Sequence, residues 1–475
     1  MATKKDLVEA HAFSRRRLVT AFVSGAPGGR EVEPVRPGRV LIGGVALSVL
    51  LLAGAAIAGF LLGRPPAQWL DEGSFVISKD TGEQYVVLVA GDDPLLQRVP
   101  NYVSAQLLLG EAELTPFTVR DKYIRTVQLG EDLGIEGAPA GLPSVDELVD
   151  DGWTACTAPG SGIKVAIQQT PSVEDLTASA FLVSSEGADW LIATAPPVGS
   201  KQGRAYRYPM PTDEIEASTV GNRLGFGATP IEVDQEWLNL FRIGDPLEAS
   251  SFGVDRKGER VPYADSGTDL SKFRIGDLLL SGTGTYYLLG DEKPERLNDF
   301  AAMVYNVVGS PAAEIPGDLV ASFGDAPIPD EWPTAIPAPE NNGALCAELH
   351  PEAGAAPAVS LATNPTGAAD PSGDGGVSPG SHDVDVEPSA GAYVLSGSDE
   401  SDEGGSRFVI DTKGEKYELI GPEVPDYIGY GDVEPPVVPS SWMVFFEPGV
   451  PLSTNSARRL PADAPPAEDA EADAG

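Results

Sequence analysis

Residues 75–88 read FVISKDTGEQYVVL, and residues 407–420 read RFVIDTKGEKYELI. Each stretch places a short apolar run before a glycine, then two further residues, a tyrosine and a second apolar run. Short apolar runs divided by glycine are typical of strands and tight turns, and Gly82 suits the positive φ that a hairpin turn requires. We therefore predict that each stretch forms a β-hairpin.

The same pattern occurs four times in the chain. Its glycine and tyrosine are Gly82 and Tyr85, Gly203 and Tyr206, Gly284 and Tyr287, Gly414 and Tyr417. A second landmark glycine follows each copy, at Gly137, Gly244, Gly324 and Gly449. Apolar stretches such as EWLNLFRIG (236–244) and SWMVFFEPG (441–449) lead into the landmark, and we expect them to pack against the hairpin. The pattern predicts four diverged repeats that pack on one another or on a shared centre.

The segments between the copies would supply that centre. They include WTACTAPGSGIKVAIQQT (153–170) and NNGALCAEL (341–349), which hold both cysteines of the chain, Cys156 and Cys346. An even cysteine count in an oxidising compartment favours a disulfide, and two buried free thiols are the alternative. The fold class predicted is α+β, with a β-rich body of four repeats around a β-containing core.

The stretch VLIGGVALSVLLLAGAAIAGFLL, residues 40–62, has 23 residues and no charge. A helix of this length measures about 34 Å, enough to cross a hydrocarbon core. Residues 56–58, Ala-Ile-Ala, resemble a signal-peptide cleavage site, and a buried core helix is a further alternative. We favour an uncleaved single-span anchor in the cell membrane, because 39 residues precede the run and it continues beyond the supposed cut.

Charge predicts the orientation of this span. Eight basic and four acidic residues precede residue 40, whereas 24 basic and 67 acidic residues follow it. The side richer in Lys and Arg stays in the cytoplasm, so the N-terminus is predicted inside and the body outside. Ala55, Gly59 and Gly63 repeat every four residues and could form a helix-packing face. The basic head, residues 1–39, contains an amphipathic helical pattern that suits either the inner leaflet of the lipid bilayer or a protein partner.

The predicted body has three parts and a tail. Residues 63–350 hold repeats 1–3 and the core, residues 351–404 form an insertion, residues 405–456 form repeat 4, and residues 457–475 form an acidic tail. The insertion has ten acidic residues, no Lys or Arg and one aromatic residue. Such a composition buries too little apolar surface to offset the entropy of ordering, so the insertion and the tail are predicted to be disordered.

Catalytic motifs are missing from the sequence. No stretch has the spacing of a phosphate-binding loop. The histidines are His11 in the head and His350 and His382 at or within the insertion, so a Ser-His-Asp triad would have no rigid base. Two distant cysteines and one histidine do not predict a zinc site. The sequence therefore predicts no catalytic residue, metal or cofactor, and the net charge of −39 excludes nucleic acid as the default partner.

The order of these motifs resembles the EccB family, a membrane component of the type VII (ESX) secretion apparatus of actinobacteria. The resemblance is carried by FSRRRLVTAFVSG (13–25), the span, FVISKDTGEQYVVL, LGIEGAPAGLP (133–143) with WTACTA (153–158), ALCAEL (344–349) and the final hairpin. It implies repeats about a β-rich core and a Cys156–Cys346 disulfide. It also implies self-association and assembly with EccC, EccD, EccE where present, and a mycosin protease.

The sequence thus predicts a non-catalytic structural subunit of a secretion complex. Two alternatives from other classes remain open at this point. One is a membrane-tethered subunit that hydrolyses ATP, because members of the family are sometimes labelled ATPases. The other is a stand-alone cell-wall-binding protein.

Overall fold

A computed structural model describes residues 3–24, 37–61, 65–196, 203–227, 229–265, 267–319, 324–340, 344–364 and 376–461. The chain divides into an N-terminal part, Met1–Ala67, and a body, Gln68–Gly475. The N-terminal part contains two helices, α1 (Lys4–Ser24) and α2 (Pro37–Leu61). Among the helices of the described residues, none combines the length and the hydropathy that crossing a bilayer requires.

Helix α2 includes most of the predicted membrane span. Its side chains are described from Leu41 to Ala55, and they are exposed. Ala55 belongs to the predicted packing face, whereas the side-chain position of Gly59 and all of Gly63 lie outside what the structure describes. That face therefore stays a prediction.

The described part of the body contains five β-sheets, and four of them have the same strand order. In each of the four, three consecutive strands form an antiparallel meander and a helix follows. Two short strands then pair in parallel with the first and the third strand of the meander. We call each of these sheets, with its helices, a module.

Modules 1 and 2 each have five strands and two helices. Module 1 consists of β1 (Phe75–Ser78), β2 (Gln84–Val89), β3 (Leu95–Val99), α3 (Tyr102–Leu109), β4 (Pro116–Val119), α4 (Asp121–Ile124) and β5 (Gln128–Leu129). Three strands that follow module 1 belong to the fifth sheet: β6 (Trp153–Thr157), β7 (Ile163–Ile167) and β8 (Glu174–Asp175). Module 2 consists of β9 (Ser179–Ser185), β10 (Ala188–Thr194), β11 (Ala205–Pro209), α5 (Glu214–Arg223), β12 (Ile231–Glu232), α6 (Gln235–Leu238) and β13 (Arg242–Ile243).

Modules 3 and 4 repeat this order. Module 3 consists of β14 (Leu278–Leu280), β15 (Tyr286–Leu289), β16 (Pro294–Leu297), α7 (Asp299–Val308), β17 (Ala313–Glu314) and β18 (Gly324–Asp325). Next come β19 (Ala338–Pro339), which pairs with β9, and three more strands of the fifth sheet: β20 (Ala344–His350), β21 (Ala358–Asn364) and β22 (His382–Val386). Module 4 consists of β23 (Ala392–Gly397), β24 (Gly404–Ile410), β25 (Glu415–Ile420), α8 (Val424–Tyr427), β26 (Val437–Pro439), α9 (Ser440–Met443) and β27 (Glu447–Pro448).

The helix after the meander begins at a polar cap in the first three modules. Asn101, Asp213 and Asn298 each accept a hydrogen bond from a backbone N–H of the first helical turn. Asn and Asp are favoured at this position because their side chains satisfy N–H groups that have no partner inside the helix. The local sequence therefore fixes where α3, α5 and α7 begin.

The fifth sheet, which we call the central sheet, has the strand order β22-β7-β6-β20-β21-β8. Cys156 on β6 lies directly opposite Cys346 on β20, and the two form a disulfide. The alternating side chains of β20 divide between two faces. Leu345, Ala347 and Leu349 belong to the largest apolar cluster of the body, whereas Cys346 lies on the opposite face.

Two modules pack on the apolar face of the central sheet. The cluster there combines the central strands with residues of modules 2 and 4, among them Trp237 and Trp442. Module 3 shares a second cluster with module 2, and module 1 shares a third with module 4. After module 4, β28 (Leu452–Ser453) pairs with β25, and α10 (Thr454–Ala457) packs on α3 of module 1. We call modules 2 and 4 inner and modules 1 and 3 outer.

The four Gly-Tyr motifs do not occupy equivalent turns. Gly82 and Gly284 lie between the first and second strands of modules 1 and 3, whereas Gly203 and Gly414 lie between the second and third strands of modules 2 and 4. Four copies of one repeat would place the motif in the same turn each time. That expectation is therefore wrong by one strand for two of the four motifs. Gly82, Gly284 and Gly414 have positive φ, which suits either hairpin of a meander, so the motif marks a turn and does not identify which turn.

The prediction that the four landmark glycines are equivalent residues is also wrong for two of them. The residue after the last strand of each module donates its N–H to the third strand, and these residues are Gly130, Gly244, Ala326 and Gly449. Gly137 and Gly324 are therefore not the equivalent residues. In the inner modules the landmark has a physical cause: a Cβ on Gly244 or Gly449 would lie 2.6 or 2.4 Å from the ring of Tyr208 or Tyr417.

The predicted disordered insertion, residues 351–404, is wrong for most of its length. Strands β21, β22 and β23 lie inside it, and only residues 365–375 fall outside the described ones. Module 4 begins at Ala392, earlier than the predicted residue 405. The composition misled because it describes the segment as a whole, whereas the short apolar runs of β21 and β23 pair with the neighbouring strands β20 and β24. The last part of the predicted tail, residues 462–475, lies outside the described residues.

Candidate functional site

Ionisable side chains gather on the face of the central sheet that carries the disulfide. Glu348 and His350 follow Cys346 at alternate positions of β20, so strand geometry places all three on the same face. We call it the disulfide face. Glu348 is 8% exposed, which is rare for a glutamate.

Hydrogen bonds at both ring nitrogens hold His350 in place. Its Nδ1 lies 2.9 Å from Oδ1 of Asp151, which precedes β6, and its Nε2 lies 3.0 Å from the hydroxyl of Ser360 on β21. Both contacts follow from the sheet, because β20 pairs with β6 on one side and β21 on the other. The prediction that His350 has no rigid mount is therefore wrong.

A third carboxylate approaches from the edge strand β8. Asp175, Glu348 and His350 each offer one ligand atom, and these three atoms lie within 4.8 Å of one another. The Nε2 atom of His350 lies 3.9 Å from a carboxylate oxygen of Glu348. The strand β8 reaches this position because Asp175 pairs with Ala362 of β21.

The environment changes the acidity of these groups. Burial, with the nearby carboxylate of Asp175, raises the pKa of Glu348 to about 7. Burial alone would lower the pKa of His350, but its hydrogen bond to Asp151 and the surrounding carboxylates outweigh that effect and raise it. The same hydrogen bond lowers the pKa of Asp151. The cluster therefore favours a positive charge at its centre.

An open cleft of about 470 Å³ adjoins the cluster. Asp175 and Ser360 are among its lining residues, and the opposite wall comes from module 2 and residues 333–337. The cleft therefore borders the cluster at Asp175 and Ser360.

The order Ser360, His350, Asp151 has the hydrogen-bond pattern of a hydrolase triad. Two features differ from that chemistry. Ser360 is only 9% exposed, and the carboxyl of Glu348 lies close enough to the same ring nitrogen to compete with the serine. The arrangement is better suited to holding a proton or a cation than to presenting a nucleophile.

The residues predicted from sequence are distributed across the molecule. The structure brings Cys156 and Cys346 together, with an S–S distance of 2.08 Å. The Gly-Tyr pairs lie in four separate modules, where Tyr85 donates a hydrogen bond to Glu83 and Tyr287 to Asp318. The four glycines lie between strands, and the four tyrosines lie on strands.

Sequence reasoning missed the cluster itself. Asp151, Asp175 and His350 span about two hundred residues, and only the register of the central sheet brings them together. One signal was available: Cys346, Glu348 and His350 alternate in ALCAELH, so a strand there places them on one face.

Comparison with known proteins identifies the family. The family model described as "Type VII secretion system ESX-1, transport TM domain B" matches residues 1–465. A curated relative from Mycolicibacterium smegmatis (strain MKD8), named "ESX-1 secretion system ATPase EccB1", is 24% identical over 332 residues. The match covers 65% of this chain and 64% of the relative, so it spans less than two thirds of that protein. The protein of the same name from Mycobacterium tuberculosis (strain CDC 1551 / Oshkosh) is 30% identical over 163 residues, 32% of each chain.

Solved structures share the fold. A chain of the intact ESX-5 inner membrane complex superposes with a TM-score of 0.57 at 19% identity, covering 97% of this chain and 95% of its own length. A chain of the EccB3 dimer from the ESX-3 core complex superposes with a TM-score of 0.58 at 19% identity, covering 81% of this chain and 100% of its own length. These similarities show the same β-rich α+β fold with several sheets. With the family model matching almost every residue, the chain belongs to the EccB family, a transport component of type VII (ESX) secretion systems.

Proposed function

We propose that this chain is a structural membrane subunit of a type VII (ESX) protein secretion complex. One helix, residues 40–62, anchors it, the basic head of residues 1–39 lies in the cytoplasm, and the body projects outside the cell. The observation that carries the proposal is the match of the family model, whose description contains a transport TM domain, to residues 1–465.

Sequence chemistry supports the anchor and its orientation. Residues 40–62 carry no charge, and Arg36 and Arg39 precede them, whereas acidic Asp71 and Glu72 follow. A single uncharged run of this length needs a helix inside a bilayer, since no other conformation satisfies its backbone groups internally. The ends of the run lie outside the described side chains, so a single-pass topology is part of the proposal.

The disulfide supports an extracytoplasmic body, because disulfides persist in oxidising compartments. Cys156 and Cys346 lie on either side of modules 2 and 3 in the sequence, so the bond closes a covalent loop around them. We also propose that the four modules are diverged copies of one unit. Their shared strand order and pairing directions support this, although their Gly-Tyr motifs occupy different turns.

The proposed partners are other components of the secretion complex. They are EccC, EccD, EccE where present, a mycosin protease and further copies of this chain. Of the two similar structures, one is a chain of an intact inner membrane complex and the other is a chain of a dimer. Large apolar clusters between modules make the body rigid, as a scaffold for such an assembly requires.

Co-purification tests the assembly directly. The tagged full chain would be extracted from its native membranes in mild detergent and separated on a native gel, and the bands identified by mass spectrometry. We expect a high-mass particle that contains EccC and EccD. A monomer that migrates alone would contradict the proposal and favour a stand-alone cell-wall-binding protein.

Cysteine labelling tests the orientation. Thr3 and Ser398 are exposed positions in the head and in module 4. In intact cells, a membrane-impermeant maleimide should label the Ser398→Cys variant and leave the Thr3→Cys variant unlabelled until the cells are lysed. Labelling of Thr3→Cys in intact cells would overturn the topology.

The relatives are named ATPases, which is a property of those proteins. This chain has no phosphate-binding loop in its sequence, so we expect the purified full chain to hydrolyse no ATP above the detergent blank. Turnover that copurifies with the chain and disappears on one point substitution would favour the enzymatic alternative.

A further inference from the structure

We propose that Asp175, Glu348 and His350 bind one divalent transition-metal cation of the zinc and manganese class on the disulfide face of the central sheet. This inference is independent of the secretion function, since it concerns a site inside the body.

Geometry is the first support. The three ligand atoms come from two strands, β20 and β8, and lie within 4.8 Å of one another. Ligand atoms about 2.0–2.2 Å from one zinc ion lie roughly 3.3–3.6 Å apart in a tetrahedron, so small side-chain rotations reach that arrangement. A fourth position opens toward the cleft, where Asp175 and Ser360 form part of the lining. Water can occupy that position.

The burial of Glu348 is the second support. Its side chain is nine-tenths buried and directed into the cluster, yet among the described residues the only cationic side chain within 4 Å is His350. Asp151 and Asp175 bring two more carboxylates to the same place. Burying carboxylates without matching positive charge is costly, and a divalent cation would supply that charge.

Asp151 prepares the histidine for metal binding. A carboxylate that accepts the Nδ1–H of a histidine fixes the tautomer whose Nε2 carries the lone pair. The Nε2 atom of His350 points toward Ser360 and Glu348. With that tautomer the hydroxyl of Ser360 donates a hydrogen bond to Nε2, and it can rotate away when a cation takes its place. Asp151 is thus a positioning residue for the ligand.

The donor set selects the class of metal. One imidazole nitrogen and two carboxylates suit zinc and manganese, whereas calcium and magnesium prefer sites built wholly from oxygen. A metal here would join β20 to the edge strand β8, on the face that already carries the Cys156–Cys346 disulfide. The ion would therefore hold in place one wall of the cleft.

Metal analysis of the full chain tests the site. The chain, purified in detergent through a tag without histidine, would be stripped with chelator, titrated with Zn²⁺ or Mn²⁺, and analysed by elemental mass spectrometry and by competition with a metal indicator. We expect one bound equivalent per chain, which excess Mg²⁺ or Ca²⁺ does not displace. Co²⁺ in place of zinc should give visible absorption bands that report an ordered site.

Matched variants identify the ligands. Glu348→Gln and His350→Asn should lose the bound equivalent, whereas His382→Asn, which changes an exposed histidine of the same sheet, should keep it. Asp151→Asn should weaken the affinity about 10- to 100-fold, as for other residues that orient a ligand. Circular dichroism and an intact disulfide would show that each variant is folded.

Two results would overturn the proposal. One is a wild-type chain that retains no stoichiometric Zn²⁺ or Mn²⁺, which requires no variant to interpret. The other is a bound equivalent that folded Glu348→Gln and His350→Asn chains retain with unchanged affinity.

Discussion

Modules 1 and 2 carry the same short helix at the same topological position, yet its side chains differ in kind. In inner module 2, α6 and the residues after it bury Trp237, Leu240 and Phe241. In outer module 1, the corresponding residues are Tyr123, Thr126 and Val127, and none of them is fully buried.

The difference lies in what each segment faces. The indole N–H of Trp237 donates a hydrogen bond of 2.9 Å to the carbonyl of Ala155 in the central sheet. In inner module 4, Phe446 makes an edge-to-face contact with Trp153 of the same sheet, with ring centroids 5.7 Å apart. The segments predicted to pack against their own hairpins do so and also join the module to the central sheet. An inner module can therefore be recognised by large aromatic residues in this one segment.

Removing the disulfide should give the largest change in stability. It tests whether packing or the covalent bond makes the inner modules differ from the outer ones. Replacing both Cys156 and Cys346 by alanine should lower the free energy of unfolding by about 5 kcal/mol, because the bond closes a loop of 190 residues. Chemical denaturation of the full chain would measure the loss. The loop contains inner module 2 and outer module 3. If module 2 stays more stable than module 3 in the variant, packing and not the disulfide sets the difference in stability between them.

Truncating the aromatic residues tests the comparison itself. Trp237→Ala should cost about 3–5 kcal/mol, because it leaves a cavity between module 2 and the central sheet. Tyr123→Ala, at the equivalent position of module 1, should cost about 1 kcal/mol, because the side chain is only partly buried. Equal losses in thermal and denaturant unfolding would break the distinction between inner and outer modules.

The landmark glycine provides a smaller, steric test. Gly449→Ala would place a Cβ 2.4 Å from the ring of Tyr417, and we expect a loss of about 1–3 kcal/mol. Gly130→Ala in outer module 1 meets only the flexible side chains of Leu95 and Gln97 at 3.0 Å, and outer module 3 already has alanine at this position. We expect a clearly smaller loss there. Gly141→Ala, with no atom within 4 Å of its Cβ, is the control.

The two inner modules can be separated by their indole nitrogens. Trp237→Phe removes a hydrogen bond to the central sheet, whereas the buried indole nitrogen of Trp442 has no hydrogen-bond partner among the described residues. Both variants lose a similar ring volume. The free energy of unfolding should therefore fall by about 1 kcal/mol less in Trp442→Phe than in Trp237→Phe. The reverse order in melting temperature would contradict this assignment of the two indoles.

How far the sequence predicts this fold depends on how local each feature is. Hairpins such as the one at Gly82 were predictable, because the turn residue and the apolar runs are neighbours in the sequence. The strands β21 and β23 were missed because their short apolar runs lie in a segment whose overall composition resembles a disordered one, although each run pairs with a neighbouring strand, β20 or β24. The Gly-Tyr motifs were also placed incompletely, since the sequence marks a turn without indicating which of the two turns of a meander it is.

The candidate site shows the same limit more strongly. The alternation of Glu348 and His350 could be read from the sequence once β20 was assigned as a strand. The approach of Asp175 depends on β8 pairing at the far edge of the central sheet, and that of Asp151 depends on the register between β6 and β20. Pairing between distant strands is set by packing of the whole body, which a single sequence does not display.

Hydrogen–deuterium exchange of the full chain, followed by mass spectrometry, tests most directly the claim that the inner modules and the central sheet form one core. The account predicts that peptides from β6, β20, α6 and α9 exchange slowest and together, and that peptides from α4 and from β14–β15 of the outer modules exchange faster. Exchange at α6 and α9 as fast as at α4, or outer modules protected as strongly as the central sheet, would contradict it.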